Sequence, residues 1–201
     1  MKILKGVFSV VVFIFIRPIG YLVYDRKYLT GRWFHHLYSH GWLWVLKGFL
    51  WQKIFGFNRN TPWPVSPRMT VMIADNIVFH ADDLNNFQGS GIYLQGFAKT
   101  EIGRGTYIAS NVGLITANHN LKDLNEHDEP RSIILGEKCW VGMNSVILPG
   151  VVLGDHTVVG AGSVVTKSFE DGYCVIAGNP AKIIRKLEKN DFGMAGGSMG
   201  E

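Results

Sequence analysis

Few residues of this chain are of a type and setting that could do chemistry. The polar, charged stretch from Ala117 to Arg131 holds two histidines. His119 follows Ile115-Thr116-Ala117-Asn118, and His127 lies amid Glu126, Asp128 and Glu129. A neutral imidazole, with a pKa of about 6.5, can take a proton at pH 7 from an alcohol, which is a poor nucleophile while protonated. The two cysteines, Cys139 and Cys174, have no activating neighbour in sequence and suit narrow interior positions better than a nucleophile's role. His35, His36 and His40 sit among basic and aromatic residues, which suits polar-interface histidines, and no metal is expected. His127 and His156 read as solvated loop and turn residues.

Something regular must position these groups, and the sequence supplies a period of six. From Leu135 the first place of each hexad is Leu135, Val141, Ile147, Leu153, Val159 and Val165, always aliphatic, with Gly second in four of the first five hexads. The fifth place is small or β-branched: Cys139, Ser145, Val151, Thr157, Ser163. Upstream the same register gives Ile102, Ile108 and Leu114, with Thr106 and Val112 fifth. Neither a helix of period 3.6 nor a plain strand of period 2 yields this pattern. A short strand plus a tight turn does, three of them closing a triangular coil of eighteen residues whose aliphatic side chains stack inward. Each such burial is worth roughly 1.5–3 kcal/mol. The register breaks after Leu114 and resumes at Leu135, so the histidine-bearing stretch is an insertion in the stack, where function tends to reside.

This pattern resembles the left-handed parallel β-helix of hexapeptide-repeat acyltransferases. The string Ile108-Ala-Ser-Asn-Val-Gly-Leu-Ile-Thr-Ala-Asn-His119, then the insertion, then Leu135-Gly-Glu-Lys-Cys-Trp140-Val-Gly, is similar to the galactoside, maltose and polysaccharide O-acetyltransferase branch, including colanic acid and capsule biosynthesis acetyltransferases. The resemblance implies that His119 is the general base for a sugar hydroxyl attacking the thioester of acetyl-CoA. Asp123, Glu126, Asp128 or a backbone carbonyl could orient it, and a backbone N–H of the coil would meet the oxyanion. Val159-Gly-Ala161-Gly-Ser-Val-Val-Thr166-Lys167 resembles the coenzyme A channel of relatives, and Gly178-Asn-Pro-Ala-Lys182-Ile-Ile-Arg185 the turn that leads into a C-terminal helix. It thereby implies cofactor contacts for Ala161, Thr166, Lys167, Lys182 and Arg185, with Trp140 beside the thioester arm. A solvated rim is the plainer role for the cations, and simple packing for Trp140. Relatives are homotrimers with sites between neighbouring helices, so His119 would come from one subunit and much of the channel from the next. The stretch Asn76 to Phe87 departs from the small-sugar enzymes. Its Asp82, Asp83, Asn85 and Asn86 are acceptor candidates, with turn and cap roles equally open.

Composition bounds the rest. At 201 residues the chain suits one domain with an appendage, and 47% hydrophobic against 18% charged residues excludes wholesale disorder. Two cysteines exclude a disulfide framework and a cysteine-rich zinc fold. Residues 1–67 carry nine Lys/Arg, one acid (Asp25) and five of the six tryptophans, whereas residues 68–201 carry eleven Lys/Arg and fifteen acids. A part both basic and greasy suits an anionic membrane surface better than nucleic acid. Lys2 and Lys5 precede the apolar run Val7 to Ile16, which Arg17-Pro18 interrupts, and a second run, Gly41 to Phe57, mixes Trp42, Trp44 and Trp51 with Lys47 and Lys53. No small-x-small cleavage site follows the first run. Lys47, Gln52 and Lys53 do not share one helical face, which leaves an interfacial or re-entrant anchor beside helices packed on the body or a neighbouring subunit, and a full span that would take Arg17 and Pro18 into the bilayer.

The expectation is therefore a mainly β protein in three parts. A membrane-associating helical segment (1–67) precedes a left-handed β-helix with a short C-terminal helix (68–190) and a flexible tail (191–201). It would be a homotrimeric, acetyl-CoA-dependent O-acetyltransferase of a glycan or lipid-linked sugar, at the cytoplasmic face of the membrane, where acetyl-CoA is available. Other readings are acetyl transfer to the amine of a nucleotide-linked sugar or to serine, or a trimeric β-helix scaffold without activity. A γ-type carbonic anhydrase would need three converging histidines, and His119, His127 and His156 lack that family's spacing.

Overall fold

The computed structural model describes Gly6 and residues 9–192. Lys2, Lys5, Val7 and the tail from Gly193 to Glu201 lie outside the described residues. From Thr70 onward the chain is mainly β, with strands of two to six residues in three sheets. The first sheet holds Thr70–Val71, Tyr93–Leu94, Gly113–Leu114, Val146–Ile147 and Val164–Val165, all parallel. The second holds Ile77–Phe79, Thr100–Ile102, Ile133–Leu135 and Val152–Leu153, also parallel. In the third, Tyr107–Ile108, Trp140–Val141, Thr157–Val159 and Cys174–Gly178 are parallel, and Ala181–Lys186 closes it antiparallel. From Ile133 the chain visits the second, third and first sheets in turn, so the three enclose one core.

The register is the hexad pattern in space. Leu135 pairs with Leu153, Val141 with Val159 and Ile147 with Val165, each eighteen positions apart. Ile102, Ile108 and Leu114 pair with Leu135, Val141 and Ile147 across thirty-three positions, so the coil closes over the insertion without losing step. All nine first-place side chains are buried, as are the fifth-place residues. Fifth-place hydroxyls satisfy the backbone at the corners: Ser163 Oγ donates to the Gly160 carbonyl at 2.6 Å and Thr157 Oγ1 to that of Gly154 at 2.6 Å.

Second-place glycine serves close approach. A Cβ on Gly142 would sit 2.6 Å from the Val159 carbonyl oxygen and 2.7 Å from the Ala161 nitrogen, both backbone of the next coil. Positive φ falls instead on the fourth place, at Gly105, Asn111, Lys138, Asn144, Gly150, His156 and Gly162. One backbone shape therefore repeats at every corner although the residue types differ.

The C-terminal helix expected from the sequence is a single 3-10 turn, Lys189–Phe192, because Ala181–Lys186 is the return strand of a hairpin on the third sheet. The ring of Phe192 packs on His156, which also stacks on Tyr173, so His156 belongs to an aromatic cluster and is only half-exposed.

The N-terminal part is helical: a π-helical stretch Val12–Ile16 runs into α1 (Arg17–Val23), and α2 (His40–Gly48) runs into a second such stretch, Phe49–Ile54. It packs on the β body through rings: Tyr28 stacks on Phe79 at 4.9 Å, and Trp63 meets Tyr28, Phe79 and Phe87 edge-on. Gln52, which blurs the helical face in sequence, is wholly buried. Its Oε1 accepts from the Tyr24 hydroxyl and the Val65 N–H, both at 2.9 Å, and its Nε2 donates to the Asn58 and Trp63 carbonyls. The inward face thus includes a satisfied amide, and Phe13, Ile14, Phe15, Leu50, Ile54 and Phe55 are left exposed.

Candidate active site

The insertion leaves the stack at a braced corner. Gln95 Oε1 accepts the N–H groups of Thr116 and Ala117, each at 2.8 Å, and Thr116 Oγ1 accepts from the N–H groups of Phe97 and Ala98. Both side chains are buried, so the chain reaches Asn118 in a fixed direction. The loop then folds back on itself. Asp128 N–H donates to the Asn118 carbonyl, Asn120 N–H to that of Glu126, and Arg131 N–H to that of Thr116. His119 and His127 thereby face one another in an antiparallel bridge.

His119 is exposed, and its Nδ1 lies 2.8 Å from the Leu124 carbonyl oxygen. A carbonyl can only accept, so Nδ1 carries the hydrogen and Nε2 holds the lone pair. The orienting group is therefore the backbone carbonyl among the four alternatives. Two of the three carboxylates bind elsewhere: Asp123 accepts from Asn125, and Asp128 from Asn120. His127 is solvent-exposed, as its sequence context suggests, but it is more than a loop residue. Its ring lies 4.3 Å from that of His119, tilted by 33°, and the Phe97 ring meets it edge-on at 5.3 Å. Gln95, Phe97 and the Leu124 carbonyl were not singled out from the sequence; they lie in irregular stretches, and a main-chain acceptor carries no residue signature.

The cofactor candidates fall in separate places. Trp140 projects from the third sheet, 55% exposed, in one lateral row with Tyr107, Val158, Val175 and Arg185. Lys182, opposite Ala177, is exposed on the same closing strand. Ala161 lies at the corner between the third and first sheets. Thr166 and Lys167 lie at the corner between first and second, the same edge of the prism from which the His119 loop emerges. One chain thus brings His119 and Lys167 to one edge and carries Trp140, Lys182 and Arg185 on the sheet that does not border that edge.

The acceptor candidates hold the chain to itself. Asp82 Oδ1 accepts from the Arg32 N–H at 2.8 Å and Oδ2 from Arg104 at 3.1 Å. These contacts, with the Arg32 hydrogen bond leading, hold the Asp82 carboxyl below its usual range. Asn85 accepts from Arg32, Asp83 from the Gly105 N–H, and Asn86 bridges the Thr106 carbonyl and the Ile108 N–H. Both cysteines are buried in the coil, and burial pushes the Cys139 thiol up, away from the reactive thiolate. Among the described residues, no three His, Cys, Asp or Glu side chains converge as a metal site.

Residues 132–167 match the bacterial transferase hexapeptide family, described by six repeats. The chain is 40% identical over 93 residues to the galactoside O-acetyltransferase of Escherichia coli K12, covering 45% of each chain. It is 33% identical over 127 residues to WbbJ of the same organism, named for O-acetyl transfer in lipopolysaccharide biosynthesis, covering 55% of this chain and 61% of that one. A solved maltose O-acetyltransferase from Clostridium difficile 630 is 34% identical with a TM-score of 0.46, covering 49% of this chain and 54% of that one. The chain spans only about half to two thirds of the length of the curated relatives it matches.

Proposed function

We propose, from a repeat segment of the bacterial transferase hexapeptide type and a histidine fixed in its insertion, that this protein is an acetyl-CoA-dependent O-acetyltransferase. The observation that carries the reading is the 2.8 Å contact between His119 Nδ1 and the Leu124 carbonyl oxygen: in the neutral ring it assigns the hydrogen to Nδ1 and leaves the basic Nε2 available to a bound alcohol. The acceptor hydroxyl attacks the thioester carbon and a C–O bond forms as Nε2 takes the proton. A coil N–H meets the oxyanion. The tetrahedral intermediate then collapses, the C–S bond breaks, and the sulfur leaves with the proton returned by the imidazolium. The products are an acetyl ester and free coenzyme A.

The coil is left-handed in this proposal, and three chains assemble around it. Support for sharing comes from the split geometry: His119 and Lys167 occupy one edge of the prism, and Trp140, Lys182 and Arg185 the sheet away from it. A neighbouring copy that lays its third sheet against the His119 edge would complete a channel with cations for a polyanionic cofactor. The acceptor is a glycan or lipid-linked sugar of surface polysaccharide synthesis. The N-terminal segment holds the enzyme at the cytoplasmic face of the membrane through its exposed apolar side chains. No helix among the described residues is long and apolar enough to cross a membrane.

Thiol release from acetyl-CoA, followed with hydroxyl sugars, amino sugars and glycolipids as acceptors, tests the reaction. Turnover with hydroxyl acceptors and an ester product is expected, and turnover confined to amines would overturn it. Light scattering should give three chains per particle; a fully active monomer would overturn the shared site.

A further inference from the structure

Arg17 opens α1 and Arg26 lies just beyond its end, and both guanidiniums address one ring. Their central carbons stand 5.3 and 5.1 Å from the Tyr21 centroid, and Arg17 Nε donates to the Tyr21 hydroxyl at 3.1 Å. Together with Phe13, Pro18 and Leu22 these residues line an open groove of about 460 Å³. No carboxylate lines it, and among the described residues neither arginine has an ion-pair partner. Arg17 is tied to the Tyr21 hydroxyl and the exposed Arg26 lies over the same ring, and two such cations without a counter-charge suit an anion. Beside them Leu22 is 86% exposed and Phe13 59%, a degree that water alone does not favour for such large apolar groups. The anion that suits the groove therefore carries an apolar tail. Guanidinium forks match the paired oxygens of a phosphate, which an ammonium meets only as a point charge.

We propose that the Arg17–Tyr21–Arg26 groove seats the phosphate of an anionic membrane phospholipid, with Phe13 and Leu22 entering the acyl layer beside it. The proposal deepens the membrane attachment argued above and depends on it. It adds that attachment is a site with geometry as well as a basic, greasy surface, and it orients α1 along the interface, where an aromatic ring flanked by arginines is at home.

Vesicle flotation with the full chain separates the two claims, using phosphatidylcholine vesicles alone and with phosphatidylglycerol added. The wild type should float with the anionic vesicles and much less with the neutral ones. The double variant Arg17→Lys/Arg26→Lys keeps every charge and loses the forks. It should partition about ten-fold more weakly onto the anionic vesicles. The single variant Arg26→Lys, at an exposed position, should show part of that loss and serves should the double variant fold poorly. Double and single variants that bind as well as wild type would overturn the groove while leaving membrane attachment standing. Equal wild-type flotation on both vesicle types would also overturn it. Wild type that floats on neither would remove the attachment and the groove together.

Discussion

Gln52 is the polar residue on which the N-terminal part turns, and its removal has a calculable cost. Gln52→Leu keeps the volume nearly unchanged, so the penalty comes from polar groups rather than from a cavity. The Tyr24 hydroxyl and the Val65 N–H lose their shared acceptor in a wholly buried site, and the Asn58 and Trp63 carbonyls lose a donor. A stranded buried donor costs about 1–3 kcal/mol, so the two donors alone cost about 2–6 kcal/mol. Domain stabilities run to only about 5–15 kcal/mol, so the variant should lose a large share of its resistance to urea. A double-mutant cycle sharpens the test. Tyr24→Phe alone breaks one hydrogen bond and should destabilise by about 0.5–1.5 kcal/mol. In the Gln52→Leu background the same change removes an orphaned hydroxyl and should be neutral or stabilising. Urea unfolding followed by tryptophan fluorescence reads this part directly, since five of the six tryptophans lie in residues 1–67. Additive losses, or a Gln52→Leu penalty below about 1 kcal/mol, would refute the assignment of Gln52 as the buried tie.

Four further outcomes follow from the same structure. Gly142→Ala would drive a methyl against the backbone of the next coil and should destabilise by about 1–3 kcal/mol or more in thermal unfolding. Gly162→Ala, with open space but φ of 71°, should cost only about 1–2 kcal/mol. Burial raises the Tyr24 hydroxyl above its ordinary pKa of about 10, so the folded state holds that proton more tightly than the unfolded one. Stability from this group is whole below pH ~10 and falls as pH rises further, and the decline should be shallower in Tyr24→Phe. His127→Ala removes the ring tilted against His119 and should lower kcat more than it raises KM, with His127→Phe restoring most of the rate; equal kcat in the alanine variant would show that this ring contact does not position the base.

The stack was legible because a buried period of six survives any choice among aliphatic residues: Leu135, Val141 and Ile147 differ in shape and share one role. The corners were less so. Lys138, Asn144 and His156 adopt the backbone shape that Gly150 and Gly162 adopt, and such mixed residue types conceal a common turn. His119 stood out through its neighbours in sequence, but its partner is the main chain of Leu124, which no side chain announces. Gln52 misled the helical reading because polarity suggests the outside, whereas four hydrogen bonds make the inside acceptable. Ala181–Lys186 runs as a strand because the third sheet offers it an edge, a tertiary partner invisible to local propensity.

Acetyl transfer by His119→Ala, measured as coenzyme A released per enzyme in the presence of a hydroxyl-bearing glycan, asks whether this imidazole takes the acceptor's proton. With His119 as the base, kcat falls by about 10²–10⁴ while acetyl-CoA still binds and the thermal midpoint stays put. Turnover within a few-fold of wild type would contradict it.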